Sequence, residues 1–265
     1  MNQGTKNAFD NAVAYNGYIG RWSRLIAPQF IAWLNIPSEQ NWLDVGVGTG
    51  VLTQVILNTT LPKKVVGIDL SESYIELARQ DIVDERVEFK VGDASSMSFE
   101  SPEFDVAVSG LVLNFVPSPQ QMVQSMKQAV KPGGTVALYV WDYAGRMEIM
   151  RQFWDAAITI DPPAAELDSA KQFPICQPEN LKSLFETTVL KDIEIMPLDI
   201  QASFKDFDDY WLPFLGAQGS VSKYLLSLDE TAKNALTVQL RKQLPINPDG
   251  SIQLTARAWA VKGIR

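Results

Sequence analysis

Apolar residues fall in short continuous runs through the first half of the chain and at helical spacing through much of the second. The run Leu43–Asp44–Val45 reads as a buried first strand that ends in Gly46, Gly48 and Gly50, glycines two apart, before Val51–Leu52–Thr53–Gln54–Val55–Ile56–Leu57 continues as a helix. Lys64–Val65–Val66–Gly67–Ile68–Asp69 predicts a second short strand ending in an acid, with Ser71 as the N-cap of a helix reaching about Val83. Val87–Val91 alternates as a third strand, closed by Gly92–Asp93–Ala94, and Phe104–Ser109 and Thr135–Trp141 predict a fourth and a fifth. Between those two, Ser118 and Pro119 open a helix as N-cap and first helical residue, and Lys131–Pro132–Gly133–Gly134 stops it. Strands alternating with helices at this spacing imply a parallel sheet covered on both faces, whose ligands lie outside the carboxyl ends of the strands.

Ahead of this core, Trp22, Leu25, Ile26, Phe30, Trp33 and Leu34 recur at helical spacing, with Pro28 expected to kink or restart the helix. The stripe reads as core packing. Residues 1–20 are polar and contain glycine, and Tyr15, Tyr18, Arg21 and Trp22 stand where they could fold over the Gly loop. Beyond Tyr143 the pattern turns to proline-broken helical segments, Met147–Ile160, Pro178–Phe185 and Asp229–Leu244, interrupted by a strand-like Val189–Ile200. Phe204, Phe207, Tyr210, Trp211, Phe214 and Tyr224 gather before a last strand, Ser251–Val261. The expected organisation is an N-terminal helical cover over 1–40, an α/β core over 41–203 and 245–265, and a helical lid over 204–244.

Composition narrows the partners. The 265-residue chain carries a formal net charge of −8, which argues against nucleic acid or an anionic membrane surface and favours a small molecule. It has one cysteine, Cys176, so internal disulfides and cysteine metal cages are out, and no metal is called for. It has no histidine, which removes the Ser–His–Asp triad and the usual general base near neutral pH. No apolar run approaches a membrane span and the N-terminus is polar, so a cytoplasmic protein is expected.

The chemistry concentrates at the Gly turn, where alternate glycines let a ligand lie directly on the backbone and free helix N–H groups face it. A dinucleotide fingerprint of the form G-x-G-x-x-G needs glycine where this chain has Val51. Asp69 follows the turn by about 20 residues, where a carboxylate at the tip of the second strand can take both hydroxyls of a ribose. A structural Gly turn and a solvated strand-end acid are the plain alternatives.

Several ordered motifs then resemble the class I S-adenosylmethionine-dependent methyltransferases, in particular the small-molecule group that includes the ubiquinone and menaquinone C-methyltransferases. They are Leu43–Asp44–Val45–Gly46–Val47–Gly48–Thr49–Gly50, Gly67–Ile68–Asp69–Leu70–Ser71, Gly92–Asp93–Ala94 and Lys131–Pro132–Gly133–Gly134. The stretches Gly17–Arg24, Asp249–Ile252 and Ala256–Val261 resemble a bacterial subgroup without an assigned substrate. The resemblance implies a Rossmann-like, doubly wound, mostly parallel seven-stranded sheet and S-adenosyl-L-methionine as cofactor. Carried over residue by residue, it places Gly46, Gly48 and Gly50, with Thr49 between them, under the methionyl and ribose moieties, and Asp69 on the ribose diol. Asp93 and the Ala94 amide would meet the adenine, Leu70 would pack on it, and Ser109 and Leu111 would lie near the methionine end. Tyr18, Arg21 and Trp22 resemble the family's cover over the cofactor. The chain departs from many relatives at Leu113–Asn114–Phe115, where they carry histidine.

The implied activity is methyl transfer to a small, uncharged or cationic acceptor. A general base is optional if the acceptor is already nucleophilic, and without histidine the candidates are Tyr18, Asp142, Tyr143, Asp209 and Tyr210. A module that binds the cofactor or its demethylated product without catalysis, and a nicotinamide-dependent oxidoreductase, are the competing readings.

Overall fold

A computed structural model describes residues 20–97, 101–215 and 219–265. Seven strands form one sheet: β1 (Asn41–Val45), β2 (Lys64–Asp69), β3 (Val87–Val91), β4 (Phe104–Gly110), β5 (Val130–Trp141), β6 (Lys191–Phe204) and β7 (Ile252–Ile264). Their order is β3-β2-β1-β4-β5-β7-β6. The pairs β1–β2, β1–β4, β2–β3 and β4–β5 are parallel, with Val45 opposite Ile68 and Asp44 opposite both Gly67 and Val108. The order reverses between β1 and β4, so the crevice past their carboxyl ends is the switch point at which a ligand binds in such sheets.

The chain divides into two compact units. The first holds Ser23–Val140, Gln177–Leu198 and Trp259–Arg265. Most of α1 (Arg21–Leu34) lies in it, with α2 (Val51–Thr59), α3 (Glu72–Asp81) and α4 (Pro119–Ala129). Strand residues such as Trp42, Leu43, Val65, Ala107, Val136 and Leu138 are fully or almost fully buried, as two covered faces require. Phe30 of α1 packs on Tyr139 of β5 with ring centroids 4.7 Å apart. Pro28 is taken up inside α1 without dividing it. Ser71 and Ser118 cap α3 and α4 through their hydroxyls, as the sequence predicts. Strand β5 begins at Val130, directly after α4, so Lys131–Gly134 lies within its first residues rather than in a separate turn. Gly133 there adopts φ +82°, and its amide donates to the Arg265 carbonyl at 3.1 Å. Behind α4, Lys127 Nζ donates to the carbonyl of Thr188 at 2.7 Å, just past the helix that spans Pro178–Thr187.

The second unit holds Trp141–Cys176 and Asp199–Ala258, together with residues 20–22. Its centre is α5 (Glu148–Ile160), whose Phe153 stacks on Phe214 at 4.9 Å and meets Trp154 and Tyr224 edge-on. Arg151 on α5 is held by both oxygens of Asp168, at 2.9 and 2.8 Å. Phe204, at the head of the aromatic cluster, is the last residue of β6, and the helical segment starts at Phe207. Among the described residues, no helix is long and apolar enough to cross a membrane.

Candidate functional site

In the first unit the chain leaves β1 at Val45 and turns through Gly46–Gly50 into α2. The turn is anchored to β2 by two bonds: the amides of Gly46 and Val47 both donate to the Ile68 carbonyl, at 2.7 and 3.0 Å. The three glycines serve different ends. A Cβ on Gly46 would stand 2.4 Å from Cγ2 of the β-branched Val112, and one on Gly50 would stand 2.5 Å from the terminal Cδ1 of Ile82, so apolar side chains of the protein cover both. Around the Cβ position of Gly48 nothing lies within 4 Å, although the residue sits at φ +55°. Open space above a bare backbone is what a ligand lying on that backbone needs.

Asp69 closes this loop from the tip of β2. Its Oδ2 accepts from the Gly48 amide at 2.8 Å and its Oδ1 from the Ser71 amide at 2.9 Å. Burial raises the carboxyl above the usual range, opposed by backbone bonds from Ser71, Gly48 and Leu70. An ionised carboxylate offers about four lone-pair sites, so these backbone bonds leave it room to accept from a ligand hydroxyl. Beside it Leu70, a large apolar side chain at a strand end, is 59% exposed. Asp93, past β3, turns its Oδ1 to the Ser95 amide at 2.8 Å, and Asp93, Ala94 and Thr49 are all partly exposed. Gly92 ties this loop to β2 by donating to the Asp69 carbonyl at 2.9 Å.

On the β4 side, Ser109 is buried and its hydroxyl donates to the Val45 carbonyl at 2.7 Å, so it holds β1 and β4 together at the switch point. Leu111 is also buried, in the left-handed conformation at φ +63°, with its amide donating to the Tyr139 carbonyl at 2.8 Å.

Sequence reasoning passed over one residue here. Asp44 lies within β1, 1% exposed, accepting a 2.7 Å bond from Thr53 Oγ1 of α2. Burial pushes its carboxyl up to about 7, with Asp69 adding repulsion and the Thr53 bonds pulling the other way. The available signal was an acid inside an apolar strand run, with threonine in the first turn of the following helix.

Residues 43–138 match a family model described as a methyltransferase domain. Over that stretch the chain is similar to methyltransferase domains. Over 100 residues it is 35% identical to a ubiquinone biosynthesis O-methyltransferase of Leptothrix cholodnii, covering 36% of this chain and 42% of that protein. A solved putative methyltransferase from an antibiotic biosynthesis pathway of Anabaena variabilis superposes with a TM-score of 0.62 at 18% identity, over 89% of this chain and 95% of that one. Phosphoethanolamine N-methyltransferase 2 of Haemonchus contortus, solved with S-adenosyl-L-methionine, does so at 0.59 and 18%, over 97% of this chain and 57% of that one. These two likenesses carry the fold. The chain spans less than half the length of the curated relatives it matches first.

The first unit brings Gly46, Gly48, Gly50, Asp69, Ser109 and Leu111 to the carboxyl ends of β1, β2 and β4, and Asp93 and Ala94 to that of β3. Arg21 and Trp22 belong to the other unit. There the Arg21 guanidinium lies over the rings of Trp22 and Phe204 at 4.3 and 4.8 Å and bonds Asp209 at 3.0 Å. Tyr18 lies outside the described residues. The candidate bases in that unit have structural work. Asp142 accepts from the amides of Gly145 and Arg146 at 3.0 and 2.8 Å, and Asp209 holds Arg21 and the Lys205 amide. The Tyr210 hydroxyl donates to the Ile149 carbonyl at 3.0 Å, and burial raises its pKa well above the ordinary value. Tyr143 is buried, its ring 5.6 Å from that of Phe173.

Proposed function

We propose that this protein transfers the methyl group of S-adenosylmethionine to a small-molecule acceptor. The observation that carries the reading is the difference among the loop glycines: two are closed off by Val112 and Ile82, while Gly48 faces open space with the Asp69 carboxylate hydrogen-bonded to its amide. Open left-handed glycines also occur at other turns, such as Gly250, but at Gly48 the acid at the end of the adjoining strand bonds the glycine's own amide beside the switch point of the sheet.

In this reading the backbone of Gly48 and Thr49 underlies the cofactor, Asp69 holds its ribose hydroxyls, Leu70 covers one face of the adenine, and Asp93 and Ala94 meet the adenine edge. When bound, S-adenosylmethionine supplies a sulfonium methyl that is already electrophilic. The protein's part is to hold the acceptor in line with it and keep water away, and such alignment is worth ~7–11 kcal/mol of barrier. Ser109 and Leu111 act here through the backbone, since one secures β1 to β4 and the other sets the course of the chain past β4.

Calorimetry with S-adenosylhomocysteine tests the binding half. Asp69→Ala is expected to weaken it ~10- to 100-fold, because hydrogen bonds to a charged group are worth about 1.5–3 kcal/mol. Transfer of labelled methyl from the cofactor into a metabolite extract tests the catalytic half. Binding without transfer would leave a cofactor-binding module.

A further inference from the structure

Past β4 the chain makes a short 3-10 turn, Leu113–Phe115, on the same side of the switch point as the Gly loop. The turn is held close to that loop, because Val112 is the side chain that closes over Gly46. It is entered through the left-handed Leu111, a conformation that costs ~1–2 kcal/mol outside glycine and is found where the surrounding structure or a function demands it. Within it Asn114 Nδ2 is buried and has no hydrogen-bond partner.

Buried donors without partners are rare in folded proteins, and each one calls for a reason. The indole nitrogens of Trp42, Trp141 and Trp154 share the condition, but there a large apolar ring fills the core and the N–H comes with it. Asn114 has no apolar body of that kind, and a leucine at this position would bury more and leave nothing unsatisfied. The five residues Leu111, Val112, Leu113, Asn114 and Phe115 include no ionisable side chain, so this wall provides a hydrogen-bond donor and no base.

We propose that Asn114 is a positioning residue for the methyl acceptor, its Nδ2–H donating to a phenolic or enolic oxygen of that acceptor; this rests on the methyltransferase reading above. An oxygen of that class has one lone pair for the methyl and another for the amide, whereas a neutral amine has a single lone pair, which the methyl takes. Such an oxygen is more acidic than an alcohol's and releases its proton to water as the methyl arrives, which suits a wall without a general base. The cofactor's own carboxylate is the other oxygen that this donor could meet, and the experiment separates the two.

The Asn114 side-chain amide pair is followed by NMR in the 15N-labelled protein, assigned by its absence in Asn114→Leu, or in Asn114→Ser should the first variant not fold. S-adenosylhomocysteine is added first, then catechol. The expected result is that S-adenosylhomocysteine shifts the Gly46–Gly50 amides and leaves the Asn114 pair in place, and that catechol then moves the Asn114 pair downfield. Loss of one hydrogen bond is expected to weaken catechol by about 5- to 10-fold in Asn114→Leu, with S-adenosylhomocysteine affinity within about twofold of the parent. Movement of the Asn114 pair with S-adenosylhomocysteine alone would make it a cofactor contact and overturn the proposal. So would no movement with catechol. If S-adenosylhomocysteine leaves the Gly loop itself unshifted, the methyltransferase reading fails, and Asn114 loses its acceptor with it.

Discussion

The carboxyl of Asp44 makes the stability of the protein depend on pH in a direction opposite to that of an ordinary salt-bridged acid. It is buried in β1, accepts one bond from Thr53 Oγ1, and is pushed up to about 7 from the usual 3.8. Below pH 3.8 it is protonated in both the folded and unfolded chain and contributes no pH dependence. Between there and pH 7 the unfolded chain releases the proton and the folded chain keeps it, so stability falls as pH rises through this window and levels off above it. The full amplitude is roughly 4 kcal/mol at 1.36 kcal/mol per unit, of which about 2–3 kcal/mol falls between pH 5 and pH 8. Asp44→Asn keeps an oxygen for the Thr53 hydroxyl and cannot ionise. Urea unfolding of both proteins at half-unit steps from pH 4.5 to 8.5 measures the difference directly. The variant is expected to gain on the parent steadily up to about pH 7. Parallel stability curves across the range would mean that Asp44 ionises normally in the folded protein, and the account of its burial would be wrong.

The loop glycines should separate folding from binding. Gly50→Ala, with its new methyl 2.5 Å from Ile82 Cδ1, is expected to destabilise the protein by ~1–3 kcal/mol in chemical unfolding. Gly48→Ala meets no protein atom and should cost only about 1–2 kcal/mol of left-handed strain, yet weaken S-adenosylhomocysteine by about tenfold or more in calorimetry. Equal binding losses in the two would deny Gly48 its special place. Tyr210→Phe removes the bond to the Ile149 carbonyl and should lower stability by ~0.5–1.5 kcal/mol without changing S-adenosylhomocysteine affinity, since its hydroxyl is engaged in packing. Asn114→Leu relieves a buried donor of its missing partner and should raise the melting temperature of the ligand-free protein, as scanning calorimetry would show.

What the amino-acid order determined by itself is what depends on neighbours along the chain. The alternation of apolar runs with helical stripes placed the strands from β1 to β5 and the helices between them, and Ser71 and Ser118 marked helix starts because capping is settled within three residues. The motif spacings led to the Gly loop and Asp69 for the same reason, since a strand, a turn and a strand-end acid follow one another in order. Where the reading stopped short, the deciding partner lay far away in sequence. Gly46, Gly48 and Gly50 look alike until Val112 and Ile82 close over two of them and leave the third open. Pro28 predicts a break, but with its neighbours Ala27 and Phe30 fully buried α1 continues through it. Asp142, Asp209 and Tyr210 are plausible bases by residue type, and only the fold shows their polar atoms engaged by Gly145, Arg146, Arg21, Lys205 and Ile149. Asp44 reads as one more residue of the motif until the sheet closes around it. Burial and hydrogen-bond completion are sums over everything packed around a group, and that neighbourhood exists only once strands from distant parts of the chain lie side by side.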